Sequence, residues 1–195
     1  MTTPMFQQFR ALKEQNPDAI LFYRMGDFYE TFFEDAEITA RVLDLTLTSR
    51  NKADPNAVAM AGVPYHAAAS YIQRMTDAGH KVAIAEQMED PALAKGLVRR
   101  QVVRVVTPGV SLDPATLHAR SSNWLAAVAW SRRSWGLAVL DVSTGELLAA
   151  SGEGEGLLVG ELARFGPKEV LLPGGAPPEE LEVWLVRGRV TRSRV

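Results

Sequence analysis

Apolar positions along this chain switch repeatedly between helical and extended spacing. Met5, Phe6, Phe9 and Leu12 recur at helical intervals after Thr3-Pro4, a hydroxyl cap followed by proline, and Asn16-Pro17 ends the segment. An aromatic-rich run from Ala19 to Met25 then reads as a buried strand, broken by the turn pair Gly26-Asp27. In an extended continuation Phe28 and Glu30 point to one face, and Asp27 and Tyr29 to the other. Tyr29 is assigned to the core. Phe33, Ala36, Ala40 and Leu43 predict a second helix, Thr46 to Thr48 a short strand, and Ser49 to Asn56 a polar loop carrying Arg50 and Lys52. Val58 to Ala61 reads as a strand turned by Gly62-Val63-Pro64, and Tyr65, Ala68, Ile72 and Met75 mark a third helix closed by Gly79. Two strands rich in β-branched residues, Lys81 to Gln87 and Gln101 to Thr107, bracket a loop from Asp90 to Gly96.

Thr107-Pro108-Gly109 and Asp113-Pro114 enclose a stretch of low apolar content, read as a domain boundary. Beyond it, Trp124 to Trp130, Trp135 to Val142 and Glu146 to Ala150 predict three strands joined by short turns. Leu157, Leu158, Leu162 and Phe165 predict a helix stopped by Gly166-Pro167, with Glu169 to Leu172 as a further strand. The Gly/Glu-rich patch from Gly152 to Gly156 is taken as a flexible turn. Interleaved strands and helices of this kind imply a mixed α/β fold, a mixed sheet flanked by helices.

Composition changes little in this picture. With 195 residues, 47% hydrophobic and 23% charged, the chain has the profile of one large or two small globular domains. No apolar run approaches the roughly eighteen residues of a membrane span, so no membrane partner and a cytoplasmic location are expected. Zero cysteines exclude disulfides and thiol chemistry. Charge is more telling, because duplex binding normally draws on a basic face. Residues 1–107 hold 12 basic and 13 acidic side chains and residues 108–195 hold 9 and 10, for a net charge of −2. Arg99, Arg100 and Arg104 form one local basic cluster; Arg187, Arg189, Arg192 and Arg194 form another, read as a frayed tail. Any nucleic-acid role must therefore rest on local placement.

Four stretches carry a specific resemblance: Gly26-Asp27-Phe28-Tyr29-Glu30, Met60 to His66, Ala85 to Pro91 and Val103 to Gly109. In sequence and order they resemble the mismatch-recognition family MutS. The resemblance implies residues 1–110 as a mismatch-probing domain, 111–122 as a linker, and 123–195 as part of a ribonuclease-H-like connector domain. It further implies Phe28 as a wedge and Glu30 as a base contact. It places Met25 and Gly26 in the family's loop at the DNA and implies positions near the minor groove or its backbone for Arg50, Met60 and His66; Arg100 is a candidate phosphate contact. Implied partners are mismatched duplex DNA, a MutL protein and, in full-length members, a second copy. No cofactor is expected within this chain: ATP and magnesium belong to the family's C-terminal region, and no Gly-x-x-x-x-Gly-Lys-Ser/Thr loop is present here.

The Phe-x-Glu spacing has its own physical logic. A phenyl ring inserted at a base step costs a few kcal/mol of unstacking, and a mispaired step opens more cheaply. A carboxylate beside phosphates is repelled and cannot donate to a purine N7, two difficulties that vanish if Glu30 is protonated in the complex. Two alternatives stand beside this reading. One is an interaction module for the MutL partner with little DNA binding of its own; the other is a metal-dependent nuclease using Asp141 and Glu146, for which the first strand, Trp124 to Trp130, offers no third acid.

Overall fold

The computed structural model describes residues 3–50, 57–91, 93–94, 96–110 and 122–194. They group into two compact units, Met1–Val106 and Thr107–Val195. In the first, helix α1 (Pro4–Gln15) starts where the Thr3 hydroxyl accepts the Phe6 amide. Strands β1 (Ala19–Met25), β2 (Phe28–Phe32), β3 (Thr48–Arg50), β4 (Val58–Pro64), β5 (Lys81–Gln87) and β6 (Arg100–Val106) form one sheet, with helices α2 (Phe33–Leu43) and α3 (Ala68–Asp77).

That sheet has the order β3-β4-β2-β1-β5-β6 and is mixed: β1 and β5 are parallel, every other neighbouring pair antiparallel. Alternation along the strands divides its apolar side chains between two layers. Phe6, Phe9 and Leu12 of α1 pack with Leu21, Tyr23, Phe32, Ala83 and Ala85 on one face. Leu43 of α2 and Ala68 and Met75 of α3 pack with Ile20, Phe22, Tyr29, Val63 and Val82 on the other.

In this unit the backbone departs from two local expectations. Ser49 and Arg50 are extended within β3, because pairing of Thr48–Arg50 with β4 overrides their polar character. Gly62, Val63 and Pro64 continue β4 instead of turning it, since β2 pairs along the whole segment from Met60 to Pro64. Lys52 and the rest of residues 51–56 lie outside the described residues, as do Asp113-Pro114 and residues 111–121 of the expected linker.

The second unit contains β7 (Trp124–Trp130), β8 (Ser134–Asp141), β9 (Leu147–Glu153), α4 (Glu155–Phe165), β10 (Glu169–Leu172), α5 (Glu179–Arg187) and β11 (Thr191–Arg194). Its sheet runs β11-β10-β7-β8-β9, with three antiparallel hairpin strands followed by two parallel strands. The core joins Val128, Leu137, Val139 and Val170 to Leu158 and Leu162 of α4 and Leu181 and Leu185 of α5. Arg187 to Arg194, expected as a frayed tail, instead ends α5 and forms β11. The patch at Gly152 is strand, not a flexible turn: a Cβ there would sit 2.6 Å from Cζ2 of Trp135, whose indole Nε1 donates to the Gly154 carbonyl at 2.9 Å. Among the described residues no helix is long and apolar enough to cross a membrane.

Candidate nucleic-acid interface

The hairpin of β1 and β2 closes with Met25 opposite Phe28, leaving a two-residue turn, Gly26-Asp27. Gly26 has φ +57, a conformation that disfavours residues with a Cβ and suits tight hairpins. The Asp27 carbonyl accepts the Tyr65 amide at 2.8 Å, tying the turn to the end of β4. Immediately after it, Phe28 is 47% exposed, whereas Phe22, Tyr23, Tyr29 and Phe32 of the same hairpin are all 5% exposed or less.

Strand register decides which candidates share a face. Met25 pairs with Phe28 and Tyr23 with Glu30; across β2, Phe28 faces Pro64, Glu30 faces Gly62 and Phe32 faces Met60. Arg50 pairs with Val58, two alternations from Gly62. Met25, Phe28, Glu30, Met60 and Arg50 thus lie on the α1 face, and Gly26 forms the turn at its end. Gly62 keeps the floor low: a Cβ there would lie 3.7 Å from Glu30 Cγ and 3.9 Å from Phe28 Cδ1.

Charge on this face is paired. Arg50 Nη1 stands 3.0 Å from Glu30 Oε2. Burial pushes the Glu30 carboxyl above its ordinary range, while the positive fields of Arg50 and Arg100 oppose that shift without cancelling it. The site accordingly holds an acid that takes up a proton more readily than an exposed glutamate.

The family described as MutS domain I matches residues 3–115, and MutS domain II matches residues 123–193. The chain belongs to the MutS family. It is similar to proteins named DNA mismatch repair protein MutS from Symbiobacterium thermophilum (55% identity over 181 residues, 91% of this chain and 21% of the relative) and Methanothrix thermoacetophila (50% over 181 residues, 92% and 21%). A third, from Desulfatibacillum aliphaticivorans, is 52% identical over 171 residues, 88% of this chain and 19% of that protein. The chain thus spans about a fifth of the length of these MutS relatives.

Within the MutS domain I region the remaining candidates separate. His66 is exposed on a short 3-10 turn, Tyr65–Ala67, beyond β4. Arg100, the candidate phosphate contact, is buried, with its guanidinium turned inward. Its Nε donates to the Arg24 carbonyl at 2.6 Å, Nη1 to the Val98 carbonyl at 2.9 Å and Nη2 to Met25 Sδ at 3.2 Å, while Cζ lies 4.7 Å over the Tyr23 ring. Arg100 clamps the end of β1 from within.

Sequence reasoning missed the support on the opposite face. Arg24, the one charge in β1, lies 3.5 Å above the Tyr65 ring centroid. Its Nε donates to the Gly26 carbonyl at 2.5 Å, and its Nη1 stands 4.0 Å from Glu86 Oε2. The Tyr29 hydroxyl donates to Glu86, and burial first, then that acceptor, push its pKa to about 12. A charge inside an otherwise apolar strand was the available signal.

In the MutS domain II region, Asp141 is spent on its own turn. It accepts the Ser143 hydroxyl at 2.6 Å, the Ser143 amide at 2.9 Å and the Asn123 amide at 3.2 Å. No group of three or more His, Cys, Asp or Glu side chains placed to hold a metal occurs among the described residues.

Proposed function

We propose that this chain recognises mispaired or looped-out bases in duplex DNA, as the recognition part of a mismatch-repair protein. The observation that supports it is the exposure of Phe28: of five aromatic rings on one hairpin, the one at the turn stands in water. A ring about half in water contributes little to folding, and next to the side-chain-free Gly62 it is placed to enter a base step. Insertion costs a few kcal/mol of unstacking, less at a step already loosened by mispairing, so deformability supplies the selectivity and no base-specific code is needed.

Glu30 sharpens that selectivity. On a matched duplex its carboxylate faces phosphate repulsion and finds no donor at a purine N7. Once protonated it donates to a displaced base, and burial already favours the proton. Arg50 neutralises the acid in the free protein and turns toward a backbone phosphate when the duplex approaches. Met60 lies on the same side, and His66 stands exposed just beyond β4, within reach of the backbone. For the longer protein the same proposal includes a MutL partner, pairing with a second copy, and ATP and magnesium in a C-terminal region.

A duplex with 2-aminopurine beside a single mismatch tests this reading. Adding the chain at low salt should raise the fluorescence of the mismatched duplex and leave the matched one nearly unchanged, with Phe28→Ala abolishing the rise. An equal response from both duplexes would remove the basis for calling this a mismatch probe.

A further inference from the structure

We infer that Arg24 is a positioning residue for the Phe28 wedge, bracing the Gly26-Asp27 turn from the face opposite the DNA. The inference rests on the wedge reading above and adds a residue to it.

Register sets the direction. Arg24 pairs with Tyr29 while Met25 pairs with Phe28, so the Arg24 side chain leaves the sheet on the side away from the wedge. It is 16% exposed, and its guanidinium is engaged all round: the Tyr65 ring at 3.5 Å, the Tyr29 ring at 5.6 Å, Glu86 at 4.0 Å and the Gly26 carbonyl. Both carbonyls of the turn are therefore held, that of Gly26 by the Arg24 side chain and that of Asp27 by the Tyr65 amide. The Tyr65 ring, itself 49% exposed, rests on Arg24, so the two holds form one unit.

Such a brace has a mechanical purpose. Gly26 has a left-handed backbone and open space where a Cβ would lie, so no side chain of its own packs the turn in place. A ring pushed against stacked bases would fold back on a hinging turn; on a braced one the insertion geometry exists before contact. Lysine cannot substitute, because it lacks the planar fork that stacks and directs Nε at a carbonyl.

The test compares Arg24→Lys, Arg24→Met and Tyr65→Leu with the parent chain and with Phe28→Ala. Tyr65→Leu removes the stacked ring at an exposed position and so remains informative should Arg24→Met fail to fold. Two quantities are read: the ratio of mismatched to matched duplex affinity, and hydrogen exchange of the residue-65 amide without DNA. Losing a brace equivalent to one hydrogen bond should speed that exchange and lower the ratio by roughly tenfold each, with matched affinity unchanged and lysine giving no rescue. An unchanged ratio in folded variants overturns the inference. So does an equal loss on both duplexes with a shallower salt dependence, the mark of a phosphate contact. If Phe28→Ala keeps the parent ratio, the wedge reading itself fails, and the amide exchange alone still decides whether Arg24 braces the turn.

Discussion

Arg50 of β3 reaches over β4 to place its guanidinium 3.0 Å from the Glu30 carboxylate of β2. The Glu30 carboxylate is therefore ion-paired in the free protein, and that pair has to open before the acid can act on DNA as proposed. Glu30→Gln keeps a donor and removes the charge. Matched-duplex affinity should rise roughly tenfold, the equivalent of about 1.4 kcal/mol, while mismatch affinity is kept. Parallel titrations of the two duplexes measure it, and unchanged affinity for both would contradict the assigned role of Glu30.

The same acid gives a pH dependence with a definite sign. Its folded pKa is raised above 4.5, so its contribution to stability is fully present below that value and is lost as pH rises through the folded pKa. Because the proposed complex carries Glu30 protonated, mismatch affinity should strengthen as pH is lowered from neutrality toward the ordinary glutamate range, and Glu30→Gln should flatten the profile. Binding isotherms across that range check both.

Neighbouring aromatics should part company in stability. Phe28→Ala removes an exposed ring and is expected to change unfolding free energy by no more than about half a kcal/mol, whereas Tyr29→Ala opens the core for about 3–5 kcal/mol. Tyr29→Phe, which takes one donor from Glu86, should cost about 1 kcal/mol. Denaturant titration of the three variants makes the comparison.

For the second unit, hydrogen bonds from Ser143 and Asn123 hold Asp141 down to a pKa of about 2. Its folded value lies below the unfolded 3.8, so its stabilisation is present above 3.8 and lost as pH falls toward about 2. Ser143→Ala should weaken that acid-limb dependence, which melting curves in the acid range will show.

Leu185 is fully packed between α5 and the sheet. Leu185→Ala should destabilise the second unit by about 2–5 kcal/mol, which denaturant titration with a reporter in that unit would reveal.

Much of this was legible before the structure. Helical and extended spacing located α1, β1, α2, α3 and the β7–β9 hairpins because each carries its own apolar stripe. Phe28 and Glu30 sharing a face followed from strand alternation alone. What escaped depended on partners distant in sequence. β11, Thr-Arg-Ser-Arg, has no apolar residue and exists because β10 offers it a parallel ladder. Arg100 looked like a surface cation beside Arg99, and only the fold shows the carbonyls of Arg24 and Val98 that bury it. Arg24 was hidden inside an apolar strand, where its role depends on Tyr65 and Glu86.

On the proposed reading, Phe28 is kept in water in order to enter DNA. Thermal unfolding and duplex titration of Phe28→Ala beside the parent test it in one comparison. Near-unchanged melting together with loss of the preference for mismatched over matched duplex is the expected result. A collapse in stability, or a preference that survives the loss of the ring, would contradict it.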